Sequence, residues 1–210
     1  MVREYETMIK SIEKYGGFYI GRYELSGTVD NPTEKTGATI TNTDWYDLYN
    51  ACKKIGGSDE EGIATRMIWG CQWDATCDFI ATKGERKDIT KSSTWGNYAN
   101  YNTSNNYTEG TTGYVKDAGT KQDTGTSEYW KANNIYDIAG NCFEWTQEAN
   151  GTSDRAYRGG YYNGSGSGFP ASDRYSIDSP TSSYSVNVRF SSHFNNYYWN
   201  LERGNQWKEE

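Results

Sequence analysis

Apolar residues return at spacings of three and four in three stretches, and each predicts a helix. In "EYETMIKSIEKYGG", Tyr5, Met8, Ile9, Ile12 and Tyr15 fall on one face, and the Gly16-Gly17 pair provides a stop. In "DWYDLYNACKKIGG", Trp45, Leu48, Cys52 and Ile55 make the buried stripe. Thr43 is expected as its N-cap, Asp44 suits the first turn, and Gly56 sits just past the end. In "WGCQWDATCDFIATKG", Trp69, Trp73, Cys77 and Ile80 share a face and Gly84 closes the helix. A further short helix is expected near "ERKDITKS".

Strands are expected where aromatic and β-branched residues cluster without helix formers. These are "GFYIGRYEL", "RAYRGGYY" and "SVNVRFSSHF", with the last two expected to pair with each other. Residues 26–43 read as polar loop. Residues 92–132 form a long, turn-rich insertion in which Trp95, Tyr98, Tyr114 and Trp130 can pin parts to the body. No internal repeat and no Pro- or Ser-rich linker divides the chain, so residues 1–210 read as a single domain.

Composition sharpens this picture. Aromatic residues make up 16% of the chain, with 8 Trp and 19 Tyr, so the core must lean on rings. The formal net charge of -7 argues against nucleic acid as the partner, because phosphate binding needs a basic face. No stretch approaches the roughly 18 apolar residues of a membrane span, so membrane insertion is not expected. The first six residues, "MVREYE", carry charges where a secretory signal is apolar. Cys52, Cys71, Cys77 and Cys142 are expected to be reduced and mostly buried, since no CxxC occurs and Cys71 and Cys77 lie six positions apart on one helix. His193 is the only histidine, which excludes any multi-histidine metal site.

The block "NIYDIAGNCFEWT", residues 134–146, resembles the N-x-Y-D-x-x-G-N-x-x-E-W signature of the formylglycine-generating-enzyme-like family. Other landmarks agree in order. "RMIWGCQW" from Arg66 resembles that family's R-L-P-T-E-x-E-W helix start, "RGG" from Arg158 its R-G-G-S strand, and "VNVRF" from Val186 its closing G-F-R strand. "GFYIGRYE" from Gly17 resembles the opening strand. The resemblance implies an α+β, C-type lectin fold of the formylglycine-generating-enzyme-like variant, with few short antiparallel strands, flanking helices and long irregular loops.

Two chemical expectations follow from the same block. The resemblance implies a structural calcium held by Asp137, the carbonyls of Gly140 and Cys142, and Glu144. A hard cation takes such oxygen ligands. The alternative is that Asp137 and Glu144 accept hydrogen bonds from loop backbone or from Arg158. The family's oxidases use a cysteine pair between the R-G-G strand and the closing strand, and this interval holds no cysteine here. No catalysis and no redox cofactor are therefore expected. Asp173 and Asp178 read as solvated loop carboxylates rather than as an acid–base pair.

Between the two landmark strands the chain changes character. Of the 44 residues 157–200, 27 are Tyr, Ser, Gly or Asn, the vocabulary of a binding loop. Tyr supplies rigid amphipathic contact, and the small polar residues adapt their hydrogen bonds. This stretch resembles the variable cassette of diversity-generating retroelement proteins. The expected ligand-binding residues are Tyr161, Tyr162, Asn163, Ser172, Asp173, Tyr175, Ser176, Asp178, Tyr184 and His193. The resemblance implies a protein or glycan ligand on a cell or virion surface, and a place on a phage virion or bacterial cell surface. Two other readings stay open: a calcium-dependent carbohydrate-binding module, which lacks the usual Glu-Pro-Asn or Gln-Pro-Asp triplet here, and an oxidase relative that has lost its cysteines.

Overall fold

The computed structural model describes residues 2–56, 63–85, 87–99, 119–179 and 186–194. The elements in chain order are α1 (Val2–Tyr15), β1 (Tyr19–Ile20), β2 (Ser26–Gly27), β3 (Pro32–Thr33), α2 (Trp45–Lys53), β4 (Ile63–Met67), α3 (Gly70–Thr82), β5 (Lys131–Ala132) and β6 (Ile135–Tyr136). They continue with β7 (Phe143–Ala149), β8 (Asp154–Arg158), β9 (Arg174–Asp178), β10 (Val186–Val188) and β11 (Phe190–Phe194). Among the described residues no helix is long and apolar enough to cross a membrane.

The three expected helices form, with differences at their ends. Gly16, at φ +79°, stops α1 by donating its N–H to Ile12 O. Only Met8 and Ser11 of α1 are fully buried, so the helix lies across the surface rather than through the core. Asp44, not Thr43, caps α2: its side chain accepts from Asp47 N at 3.0 Å, while Thr43 donates to the Asp47 carboxylate. In α3 the stripe of Trp73, Cys77 and Ile80 is buried as its spacing predicts. The stretch after Gly84 makes turns and a 3₁₀ segment at Ser92–Thr94 instead of the expected helix. Asp88, whose carboxylate accepts from Thr90 N and Lys91 N, holds that turn closed.

Two main sheets organise the fold, in the orders β1-β11-β4 and β10-β7-β8-β9. The stretch "SVNVRFSSHF" is not one strand. It breaks at Arg189, so that β10 runs parallel to β7 while β11 crosses into the other sheet between β1 and β4. The two landmark strands are therefore not partners of each other: β7 lies between β8 and β10. Residues 174–178, expected as loop, form the edge strand β9. The apolar core has two parts. One packs Trp45, Leu48 and Cys52 of α2 against Phe143, Trp145, Val186 and Val188. The other packs Trp73, Cys77 and Ile80 of α3 against Trp95, Tyr98 and Ile138. Trp95, Tyr98 and Trp130 do pin the two ends of the insertion; Tyr114 lies outside the described residues.

Candidate ligand-binding face

Side chains alternate across a strand, so β7, β8 and β9 present one set of residues to α2 and another to α3. On the α2 side, Phe143 of β7 is the hub of a ring cluster. Tyr157 lies 4.5 Å from it, Tyr161 4.8 Å, Phe169 5.8 Å and Tyr175 6.3 Å between centroids. Tyr157 and Tyr175 face each other in register across β8 and β9 and stack with an interplanar angle of 16°. Tyr162 extends the cluster, edge-on to Tyr161. Phe143 is buried, Tyr157, Tyr161, Tyr162 and Phe169 are half-buried, and Tyr175 is exposed at the rim. No hydrogen bond to a described residue holds the hydroxyls of Tyr157, Tyr161, Tyr162 or Tyr175, and none of them is a buried orphan, so each keeps some access to solvent. Burial, reinforced by Tyr175, Asp173 and Tyr161, pushes the Tyr157 phenol up, which keeps it a neutral donor and acceptor.

The loop from β8 to β9 carries most of this face and is braced from below. Gly159 and Gly160 turn the chain out of β8 with φ of +91° and +79°. A Cβ on Gly160 would collide with the Phe169 carbonyl and the Tyr98 ring, so only glycine lets the loop close. Tyr162 N donates to Asn141 O, Ala99 N to Gly164 O, Ser92 N to Gly166 O and Ser172 N to Ile89 O. The beginning of the insertion is therefore a buttress for the loop from β8 to β9. Both of its described ends stand beside Asn163–Gly164, since Gly119 also abuts the Asn163 side chain.

The ten expected contact residues divide. Tyr161, Tyr162 and Tyr175 belong to the ring cluster, and Asn163 is exposed next to it. Tyr161 also packs on the core, so it is part of the support as well as of the surface. Ser172 and Asp173 lie half-buried where the loop enters β9. The carboxyl of Asp173 is not freely solvated: burial raises its pKa, opposed by Arg158. Ser176 and Asp178 alternate with Tyr175 and so point away from the rings, Ser176 accepting from Asn150. His193 pairs with Ala64 in the middle strand of the other sheet. Tyr184 lies outside the described residues. Phe143, Phe169 and Tyr157 complete the face and were not anticipated.

The block around Asp137 builds the floor below. Glu24, Asp137 and Glu144 are buried carboxylates, and Arg189 is the buried cation among them. Arg189 grips both Glu144 oxygens, with contacts of 2.8, 3.0 and 3.2 Å, and donates to the carbonyls of Gly21 and Tyr136. Asp137 accepts from Thr124 Oγ1 and Gly125 N, and Glu24 from Asn141 Nδ2 and Cys142 N. The partner of Glu144 is thus Arg189, not Arg158, whose guanidinium instead joins Asp74. Burial raises Glu144 to about 7 against the pull of Arg189, raises Asp137 to about 6, and pushes Glu24 well up.

In this structure Glu144 gives both oxygens to the Arg189 guanidinium, and of the three buried carboxylates only Asp137 has an oxygen, Oδ1, left unpartnered; a calcium ion on this block would have to draw Glu144 away from Arg189. Cys142 is buried and its thiol is pushed well up by burial, so it stays protonated. Cys52 and Cys77 are buried likewise, and Cys71 is the exposed one.

Comparison by sequence finds no matching family model and no matching curated protein. Comparison by structure does find matches. The fold is similar to Treponema denticola variable protein 1, with a TM-score of 0.50 and 15% identity over 81% of this chain and 84% of that one. It is similar to PvdO from Pseudomonas aeruginosa, with a TM-score of 0.50 and 12% identity over 89% of this chain and 76% of that one. A weaker likeness, TM-score 0.48 at 15% identity, is to the Major Tropism Determinant U1 variant, covering 85% of this chain and 51% of that one. The chain has an α+β C-type lectin fold of the formylglycine-generating-enzyme-like variant.

Proposed function

We propose that this chain is a non-catalytic ligand-binding protein that displays an exchangeable aromatic and small-polar surface on a rigid lectin-type scaffold, as variable proteins of diversity-generating retroelements do. The observation that carries this reading is the ring cluster around Phe143: six rings, from buried to exposed, on one side of β7, β8, β9 and the β8–β9 loop, with no tyrosine hydroxyl sealed inside and bracing beneath. Exposed aromatic patches on braced loops are binding faces in general. The partner is a protein or glycan on a cell or virion surface, and the chain acts at a phage virion or bacterial cell surface. The absence of cysteine from residues 161–187 and the protonated state of buried Cys142 support a non-catalytic role.

The test is a double variant, Tyr162→Ala with Tyr175→Ala. Tyr162 meets the cluster edge-on and Tyr175 is exposed at its rim, so each loss costs about 1 kcal/mol and the pair moves Tm by roughly 5 °C. Fluorescently labelled wild type is scored against a glycan array and a panel of bacterial cells. Saturable binding by the wild type that the folded variant loses supports the reading. Collapse of the variant, or undiminished binding by it, overturns it. A reverse transcriptase gene beside this one, with a near-copy of the cassette differing at adenines, would support the retroelement class independently.

A further inference from the structure

The sheet that carries the rings ends in an open edge. Strand β9 pairs with β8 alone, and its other side meets no described strand. Just past the Asp154–Asp178 pair, Ser179 N donates to Ser153 O at 3.1 Å. Bonded and open pairs alternate along an antiparallel ladder, so Ser179, Ile177 and Tyr175 turn their backbone groups to β8. Arg174, Ser176 and Asp178 turn theirs outward. Edges are commonly blunted by Lys, Pro or a bulge. Strand β9 has none of these: it keeps unbroken register from Arg174 to Asp178, and Tyr175 and Ile177 are exposed on its ring side. Its two charges are opposite in sign and stand at its two ends.

The edge, "RYSID" from Arg174, is complementary to its own reverse. An antiparallel copy centred on Ser176 sets Arg174 opposite Asp178 and Tyr175 opposite Ile177, each pair occurring twice. The same register matches the open backbone groups, because the outward residues 174, 176 and 178 then face 178, 176 and 174. A parallel copy in register would oppose like charges instead. The edge also needs a cation. Asp178 lies directly across from Asp154, and among the described residues no ion pair reaches either carboxylate. Like charges directly opposite destabilise a sheet, and a guanidinium beside them relieves the repulsion. Arg174 can supply it: the side chain is 49% exposed, and its bonds to Glu148 and Asp74 use Nε and Nη2, which leaves Nη1.

We propose that β9 is an interface between two copies of this chain, which join edge to edge as an antiparallel pair about Ser176 and extend β10-β7-β8-β9 into one sheet of twice its width. The two-fold axis of such a pair stands perpendicular to the sheet. Both ring clusters therefore lie on the same side, and the Tyr175–Ile177 contacts join them into one continuous aromatic face. The Arg174–Asp178 pairs form on the opposite side, where Arg174 already meets Asp74 and Glu148. The inference concerns the edge and stands or falls independently of what the ring face binds.

Sedimentation velocity of the full chain, from low to high micromolar concentration, tests it. The mass should rise from that of one 23.8 kDa chain toward twice that value. Arg174→Glu and Asp178→Arg should each weaken the dimer by roughly tenfold or more, since each reversal opposes like charges at both ends of the paired edge. Mixed in equal amounts, the two variants should dimerise again, because every facing pair between them is then opposite in charge. A variant that had merely lost its fold could not be rescued in this way. Ser176→Pro removes an outward N–H that β8 does not use, so it should keep the fold and lose the dimer; the charge-reversed pair decides the matter if that variant does not fold. A wild type that stays monomeric, a dimer undiminished in the folded variants, or a mixture that does not recover each overturns the proposal. All three variants keep Tyr162 and Tyr175, so loss of the dimer and loss of ligand binding are read separately.

Discussion

Replacing Arg189 by Met tests the buried floor of the molecule. The guanidinium is fully buried, contacts both oxygens of an equally buried Glu144, and satisfies the carbonyls of Gly21 and Tyr136. Methionine fills similar volume but leaves a carboxylate and two carbonyls without a donor. Removing one member of a buried pair costs about 3–5 kcal/mol. For a chain of this size that lowers Tm by roughly 10 °C or more. The loss must also depend on pH. Glu144, at about 7, and Asp137, at about 6, bind protons more tightly in the folded chain than in the unfolded one. Their contribution is therefore fully present below the ordinary carboxylate range and fades as pH rises through 6 and 7. Without Arg189 a protonated Glu144 is tolerated and an ionised one is not, so the deficit is widest at pH 8 and narrowest at pH 5. Thermal melts by circular dichroism at pH 5, 6, 7 and 8 measure it, and adding Glu144→Leu to Arg189→Met should recover most of the loss. A deficit that is the same at every pH, or smaller than about 1 kcal/mol, would refute the account.

The wild type itself should melt higher at pH 5 than at pH 8, because the contribution of the raised Glu144 and Asp137 fades between the two, while Glu4, whose pKa is lowered by Tyr49, Lys53 and Arg66 against the effect of burial, loses its own contribution only at more acid pH. A Tm that rises steadily with pH would contradict this. Gly16 and Gly160 share φ of +79°, but a Cβ meets nothing at Gly16 and backbone at Gly160. Gly16→Ala should thus cost about 1 kcal/mol, and Gly160→Ala at least on the order of 2 kcal/mol, in denaturant unfolding. Native protein should present one thiol to Ellman's reagent, Cys71, and four after unfolding; a native count above one would show the buried cysteines to be accessible. Calorimetric titration with Ca²⁺ should give no heat and no Tm shift, and tight binding would mean that Glu144 leaves Arg189.

Helices were legible in the sequence because burial at spacings of three and four is a local signal, as in Trp69, Trp73, Cys77 and Ile80. The sheet was less so. "SVNVRFSSHF" alternates without interruption, and nothing local marks the change of sheet at Arg189. Strand β9 did leave a trace, Tyr175 and Ile177 at alternate positions, which its polar neighbours masked. The tyrosines of the face were visible from composition, whereas Phe143 and Phe169 join it only through the fold. The importance of Glu144 was legible in the motif, but its partner was not: the alternative of Arg158 named the wrong arginine, since Arg189 lies 45 positions away and only tertiary structure distinguishes the two.

The crossing of the chain at Arg189 bears on synthesis. Strand β11, the last described element, is the middle member of the sheet that also holds β1, so residues near 20 wait for residues near 190 before that sheet can close. Long-range closure of this kind is slow and exposes unfinished chains to quality control. A chain ended before Phe190 lacks β11, and with it the sheet. Protease digestion of a chain ended at Val188 should therefore show it cut throughout, whereas the chain carrying β11 resists.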